Sequence, residues 1–202
     1  TLLAVALTAD WLDRGAKGAP KSAGLALVAA CMTRYEAWPI CASLLVLALA
    51  VLLRRQMPPR SAVVAVARLA SYPAIAVVLF LLNSRWTVGA RIVSSGFFVA
   101  ENESLGHPFV AWDQVREGVY RLSGPAVVWP AYAAAALVVW NFARSRARAS
   151  LVLVLARAAA AALPWYAYLE GHPFRIRYGV PLVVACAAIV GTGIGLLPRR
   201  LR

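Results

Sequence analysis

The stretch EAWPICASLLVLALAVLL, residues 36–53, decides the fold class, because no charged residue follows Glu36 within it. A membrane-spanning helix needs about 20 predominantly apolar residues. Further apolar stretches occupy residues 1–12, 22–33, 61–82, 124–143, 150–168 and 179–197. The sequence therefore predicts an all-α fold, a polytopic transmembrane helical bundle of about seven membrane segments. The segment at 1–12 is incomplete, and the segment at 22–33 is too short to span a membrane comfortably.

The bulk composition agrees with a membrane protein. The 202 residues are 62% hydrophobic, with a mean hydropathy of +0.71, whereas soluble domains are roughly half apolar. We expect residues 1–202 to form a single transmembrane domain. Because the chain begins at Thr1 inside an apolar run, we also expect it to be a fragment that lacks an N-terminal part with the first external loop.

The basic residues predict the orientation of the segments. They concentrate in alternate connections, at 13–21, 54–60 and 144–149 and at the C-terminus, whereas six of the eight acidic residues lie on the opposite side. The basic members of these connections are Arg14, Lys17, Lys21, Arg54, Arg55, Arg60, Arg144, Arg146, Arg148, Arg199, Arg200 and Arg202. Cytoplasmic loops carry an excess of Lys and Arg, so we predict that these connections and the C-terminus are cytoplasmic.

The same pattern explains the net charge of +13. Since the charge follows the loops, we expect membrane lipids and no nucleic acid as partners. Arginine dominates the basic residues, which is typical of a GC-rich bacterial genome, and the bacterial inner membrane is the expected location. Arg68 and Arg157 each lie seven residues past a cytoplasmic helix start, at a depth of about 10 Å. We expect both to snorkel to the interface.

The long polar loop at 83–123 contains a helical pattern. Trp112, Val115, Val119 and Leu122 are spaced as one face of a helix. Charged residues occupy the rest of the surface. The spacing predicts a short external amphipathic helix within roughly 110–122, with these four residues facing apolar material.

The predicted external side holds two polar and aromatic clusters. One consists of Arg34, Tyr35, Glu36 and Trp38, and the other of Glu170, His172, Arg175, Arg177 and Tyr178. Arg175 and Arg177 alternate around Ile176, so in an extended segment their side chains would point the same way. Two guanidinium groups on one face suit a phosphate or diphosphate, and Arg34 could add a third. The alternative is that these arginines bind lipid headgroups from outside, and the residues alone leave both interpretations open.

Metal chemistry has little support. His107 and His172 each precede a proline in separate loops, and no third ligand accompanies them. We predict no metal ligand and no certain cofactor, and we leave open the use of a divalent cation.

Two segments resemble the GT-C superfamily of bacterial integral-membrane glycosyltransferases, which includes enzymes similar to protein mannosyltransferases and the aminoarabinose transferase of lipid A. They are SAGLALVAACMTRYEAWP at 22–39 and GHPFRIRYGVPLVVACAAIVG at 171–191. The matching positions are Thr33, Arg34, Tyr35, Glu36 and Trp38, with Arg177, Tyr178 and Pro181.

The resemblance implies transfer of a sugar from a polyprenyl-phosphate carrier to an acceptor on the external face. In that family the catalytic acid lies in the first external loop, which we expect outside this chain, so no catalytic residue is named. The predicted substrate-binding residues are Arg34, Tyr35, Glu36, Trp38, His172, Arg175, Arg177 and Tyr178. The alternative function is a non-enzymatic polytopic membrane protein, such as a transporter or a scaffold subunit.

Overall fold

The computed structural model describes residues 1–89 and 98–197, and these two ranges contain helices and no strands. The elements are α1 (Leu2–Asp13), α2 (Lys21–Thr33), α3 (Ala37–Arg54), α4 (Pro59–Val88), α5 (Pro108–Ser123), α6 (Pro125–Arg144), a 3₁₀ helix (Ala149–Ala161) that continues as α7 (Ala162–Leu169), and a 3₁₀ turn (Ile176–Gly179) that leads into α8 (Val180–Leu196). The predicted all-α fold is confirmed.

Five continuous helical segments in the described ranges are long and apolar enough to cross a membrane. They are Ala37–Arg54, Pro59–Val88, Pro125–Arg144, Ala149–Leu169 and Ile176–Leu196. The helices α1 and α2 have 12 and 13 residues. At 1.5 Å per residue they extend about 18–20 Å, less than the roughly 30 Å of a hydrocarbon core. The count of seven spans is therefore not confirmed.

The outer surface of the bundle is apolar. In α4 and α6 only 22% of the most apolar window is buried inside the protein, compared with 56% for Ala149–Leu169. Ile75, Leu79 and Leu82 of α4 are each about 60% exposed and lie on one face. Outward apolar faces of this extent need a lipid environment rather than water. The fold indicates an integral membrane protein.

The central segment is Ala149–Leu169, which matches the predicted span at 150–168. Its first 13 residues form a 3₁₀ helix, whose rise of 2.0 Å per residue carries it about 26 Å instead of the roughly 20 Å of an α-helix. It packs against α3, α8, α6 and α1. Arg157 lies inside this packing at 3% exposure and donates to Thr1 Oγ1 at 2.5 Å. Its predicted snorkelling is wrong, because the side chain is enclosed by protein and bonded to Thr1.

Small residues set the spacing of neighbouring helices. A Cβ added to Gly24 of α2 would lie 2.4 Å from the Tyr72 ring of α4. A Cβ added to Gly193 of α8 would lie 2.6 Å from the Cβ of Ala134 in α6. Close approach at small residues is the usual device of membrane helices, which have no hydrophobic effect to drive their association.

Three predicted cytoplasmic loops meet at one end of the bundle, and Arg55 connects them. Its guanidinium donates to Leu12 O at 2.6 Å, to Asp13 Oδ1 at 2.5 Å and to Arg146 O at 3.3 Å. The neighbouring Arg54 donates to backbone carbonyls at the end of α6. These contacts agree with the charge pattern. Three further basic residues of that prediction, Arg199, Arg200 and Arg202, lie outside the described residues.

At the opposite end, the segment before α5 meets the loop that follows α7. Asn102 donates to the carbonyl of His172 and accepts from the hydroxyl of Ser104 at 2.9 Å. The same hydroxyl reaches Tyr168 O at 3.0 Å, and Ser104 is fully buried. The segment before α5 is thereby fastened to the end of α7.

Helix α5 confirms the predicted helix, with bounds two residues wider at the start and one at the end. Its buried positions are Ala111, Val115, Gly118 and Val119. Trp112 and Leu122, predicted to share the apolar face with the valines, are 48% and 39% exposed. The two valines pack inside the protein, and the contact of Trp112 and Leu122 with apolar material stays a prediction.

Candidate functional site

Two glycines, Gly118 and Gly179, bring the segment RIRY, residues 175–178, against α5. A Cβ on Gly179 would lie 3.1 Å from the carbonyl carbon of Gly118 and 3.1 Å from Leu122 Cδ1. The 3₁₀ turn Ile176–Gly179 therefore lies directly on the α5 backbone. This close packing brings Arg177 near a residue one turn further along α5, Arg121.

A buried tyrosine holds the chain in front of this turn. Tyr168, at the end of α7, is 1% exposed. Its hydroxyl donates to Arg175 O at 3.2 Å, and the Arg175 amide donates back to that hydroxyl at 3.4 Å. The Phe174 and Tyr178 rings lie with centres 5.9 Å and 6.3 Å from the Tyr168 ring. These contacts fix the backbone at Arg175, from which the side chains of Arg175 and Arg177 extend.

The result is a shallow pocket of about 540 Å³ with a basic lining. It is lined by Arg121, Phe174, Arg175, Ile176 and Arg177. Three of the five lining residues carry guanidinium groups, and the other two are apolar. The pocket can therefore accept an anionic group next to a hydrophobic one.

Contacts around the pocket orient two of the arginines. Arg121 Nε donates to Glu117 Oε1 at 2.8 Å, and its guanidinium lies 5.9 Å from the centre of the Phe174 ring. The Arg177 guanidinium lies 5.7 Å from the centre of the Tyr178 ring. Glu117 therefore pairs with Arg121, and the Arg177 guanidinium is stacked on an aromatic ring. Stacking on aromatic faces leaves the planar donor edges of a guanidinium available.

The other predicted cluster, in the loop between α2 and α3, is separate and internally bonded. Arg34 donates through Nε and Nη2 to the two carboxylate oxygens of Glu36, at 3.1 Å and 2.6 Å. Tyr35, Trp38 and Phe80 pack edge to face with ring centres 5.3–6.0 Å apart. The aromatic contacts attach the loop to α4. The guanidinium of Arg34 is bonded to Glu36 within the same loop.

The electrostatics of this cluster follow from the pairing. The hydrogen bond with Glu36 raises the pKa of Arg34. Burial alone would raise the pKa of Glu36, but the hydrogen bond and the charge of Arg34 outweigh it and hold that pKa below its usual value. Tyr178 also acts electrostatically on Arg34, so the two clusters are neighbours at this end of the bundle.

The structure thus brings together some of the predicted site residues and not others. Arg175 and Arg177 line one pocket, whereas Arg34 is engaged by Glu36. His172 contributes its carbonyl to the Asn102 contact. Sequence reasoning missed Arg121, because its spacing to Glu117 indicates an ordinary surface ion pair. The signal that could have found it is Gly118 on the same helix, which marks where another segment approaches.

Metal ligands and known relatives give no further guide to the site. No group of three or more His, Cys, Asp or Glu side chains that could hold a metal ion occurs in residues 1–89 and 98–197. No protein-family model, no curated protein and no solved structure matches this chain.

Proposed function

We propose that this chain is part of a GT-C-type membrane glycosyltransferase, which transfers a sugar from a polyprenyl-phosphate carrier to an acceptor on the external face. The observation that carries the proposal is the pocket of Arg121, Arg175 and Arg177 beside Phe174. It lies at the end of the bundle remote from the basic loops. The motif resemblance at 22–39 and 171–191 supplies the reaction class.

The chemistry of the pocket suits the carrier. A guanidinium offers a planar fork of donors that matches phosphate oxygens in pairs. Each such charge-assisted bond is worth about 1.5–3 kcal/mol. Phe174 and Ile176 provide an apolar wall for the isoprenoid next to the phosphate. The role assigned to this pocket is to bind and orient the donor, and no residue of the chain is assigned the catalytic carboxylate.

The orientation is part of the proposal. The end where Arg54 and Arg55 bind the neighbouring loops faces the cytoplasm of a bacterium, as the positive-inside rule favours. The C-terminus is on the same side. The arginine pocket then faces outward from the inner membrane, and α1 and α2 represent the first two of seven segments.

Donor binding by the full-length protein tests the proposal. The probes are a polyprenyl phosphate and the corresponding polyprenol, which lacks the phosphate. Arg177→Ala is expected to weaken binding of the phosphate form about tenfold or more, since 1.4 kcal/mol corresponds to a factor of ten. Arg177→Lys should recover only part of the loss, because an ammonium group cannot make the bidentate contact.

Arg144 provides a matched control. Its guanidinium stacks on Trp140 at 4.9 Å, at the end of the bundle that holds the basic loops. Arg144→Ala should leave donor binding and sugar transfer in isolated membranes unchanged. If Arg177→Ala retains full transfer activity, or if polyprenol binds as tightly as its phosphate, the pocket is not a donor site. A non-enzymatic protein with a headgroup-anchoring loop is then the better interpretation.

A further inference from the structure

A second pocket, of about 510 Å³, lies at the end of the bundle that holds the basic loops. It forms between the loop that joins α1 to α2 and the first three turns of α4. Its lining includes Trp11, Lys17, Met57, Arg60, Val64 and Arg68. It shares no residue with the arginine pocket at the opposite end, so this inference does not depend on the proposed function.

The sequence spacing explains the shape of the pocket. Arg60, Val64 and Arg68 follow one another at four-residue intervals and so lie on one face of α4. The Cα atoms of the two arginines are about 12 Å apart along the helix axis. Lys17 comes from the facing loop, where Gly15, Ala16 and Gly18 all have positive φ angles of 54–78°. These turns fold the loop back on the end of α1 and place Lys17 opposite α4.

The three cations of the pocket have no acidic partner among residues 1–89 and 98–197. The two acidic residues at this end are already engaged, since Asp10 pairs with Arg14 and Asp13 pairs with Arg55. Like charges around one cavity repel one another, and the repulsion is greatest where low-dielectric walls surround them. An anion bound between them would remove this cost.

The walls favour an amphipathic anion. Trp11, Met57 and Ala65 line the inner side. Val63 and Val64 of α4 are about half exposed and face outward, where the surface of the bundle is apolar. Arg68 lies nine residues past the start of α4, at a depth of about 14 Å. A pocket that combines cations with an opening toward hydrocarbon suits a molecule with a charged head and an acyl chain.

We propose that this pocket binds an anionic phospholipid of the leaflet next to the basic loops. Its phosphate lies among Lys17, Arg60 and Arg68, and an acyl chain runs along Val64. Basic pockets between helices are a recurrent way of holding acidic lipid headgroups. Arg68, which the sequence explains as a snorkelling residue, thereby has a specific anionic partner.

Lipid binding by the full-length protein in detergent is the test. The probes are phosphatidylglycerol, phosphatidylcholine and inorganic phosphate, each measured by native mass spectrometry and by the shift of the unfolding midpoint. Phosphatidylglycerol is expected to bind and to raise the midpoint, with phosphatidylcholine and inorganic phosphate at least tenfold weaker. Equal binding of inorganic phosphate would overturn the lipid assignment in favour of a soluble phosphate. Equal binding of phosphatidylcholine would show that charge is not recognised.

Two sets of variants separate a site from general attraction. The triple variant K17Q/R60Q/R68Q should lose phosphatidylglycerol affinity at least tenfold. The matched triple variant K21Q/R146Q/R148Q removes the same charge from the same end, outside the pocket lining, and should lose less than twofold. Equal losses, or no loss in the pocket variant, would refute the site. If the first triple variant does not fold, R60Q alone is expected to lose at least threefold, and an unchanged affinity refutes the proposal equally.

Discussion

Replacing Gly193 with alanine is expected to separate α6 from α8. These two helices pack closely against each other, and Gly193, in the last turn of α8, meets Ala134 of α6. The new Cβ would lie 2.6 Å from the Cβ of Ala134 and 3.1 Å from its Cα. Both clashing groups are attached directly to the backbone, so no rotamer change relieves the contact.

The size of the effect follows from this overlap. Two carbon atoms in contact lie about 3.5–4.0 Å apart, so the two Cβ atoms would overlap by roughly 1 Å. Overpacking of this kind typically costs about 1–3 kcal/mol. The better helix propensity of alanine, worth up to about 1 kcal/mol, offsets part of the cost. We expect Gly193→Ala to lose about 1–2 kcal/mol net.

The assay is reversible unfolding of the full chain by SDS in mixed micelles, and helix α8 provides its own control. A Cβ on Gly191 meets nothing within 4 Å, so Gly191→Ala should be neutral or slightly stabilising. The double variant Gly193→Ala/Ala134→Gly moves the methyl group from one helix to the other. It should be more stable than the sum of the single effects by at least about 0.5 kcal/mol. Additive single effects, or a stabilising Gly193→Ala, would refute the close approach of α6 and α8.

In a variant without native cysteines, a cysteine at Glu103 is expected to react with an impermeant reagent in intact cells and one at Ala147 is not, since the two lie at opposite ends; the reverse labelling would invert the proposed orientation. Arg55→Ala should lower the free energy of unfolding by about 1.5–3 kcal/mol, because its charge-assisted bonds join three loops. Arg14→Ala, which removes an exposed ion pair within one helix, should cost less than about 1 kcal/mol, and equal effects would contradict the bridging role. Because the pKa of Glu36 is lower in the folded state than in the unfolded one, its contribution to stability is present above pH of about 4.3 and is lost as the pH falls through the folded pKa. The free energy of unfolding, measured between pH 3 and pH 7, should therefore depend less on pH for Glu36→Gln than for the parent. An equal dependence on pH in both proteins would count against the pairing.

Part of the site could be predicted because it depends on local spacing. Arg175 and Arg177 are two residues apart in a loop between apolar segments, and they do line one pocket. Arg34 was predicted to join them, but it lies two residues from Glu36 and is bonded to it. Local spacing could not choose between these partners, because the choice depends on the conformation of the loop.

The sequence by itself determined the helical class, the apolar segments and the gathering of basic loops at one end. Hydropathy and charge act residue by residue along the chain, and a bilayer sorts them by depth without regard to which helices touch. The amphipathic pattern of 110–122 likewise needed only its own spacing to predict a helix.

The tertiary structure alone decided which faces meet. Arg157 is buried rather than snorkelling because it is enclosed by protein and bonded to Thr1. Arg121 joins the arginine pocket because Gly118 and Gly179 let two segments touch. Arg68 belongs to a pocket because the loop carrying Lys17 lies opposite α4. Such contacts join residues that are distant in the chain, and they depend on the fit of side-chain volumes between helices. That fit is a property of pairs of surfaces, which no single segment of sequence contains.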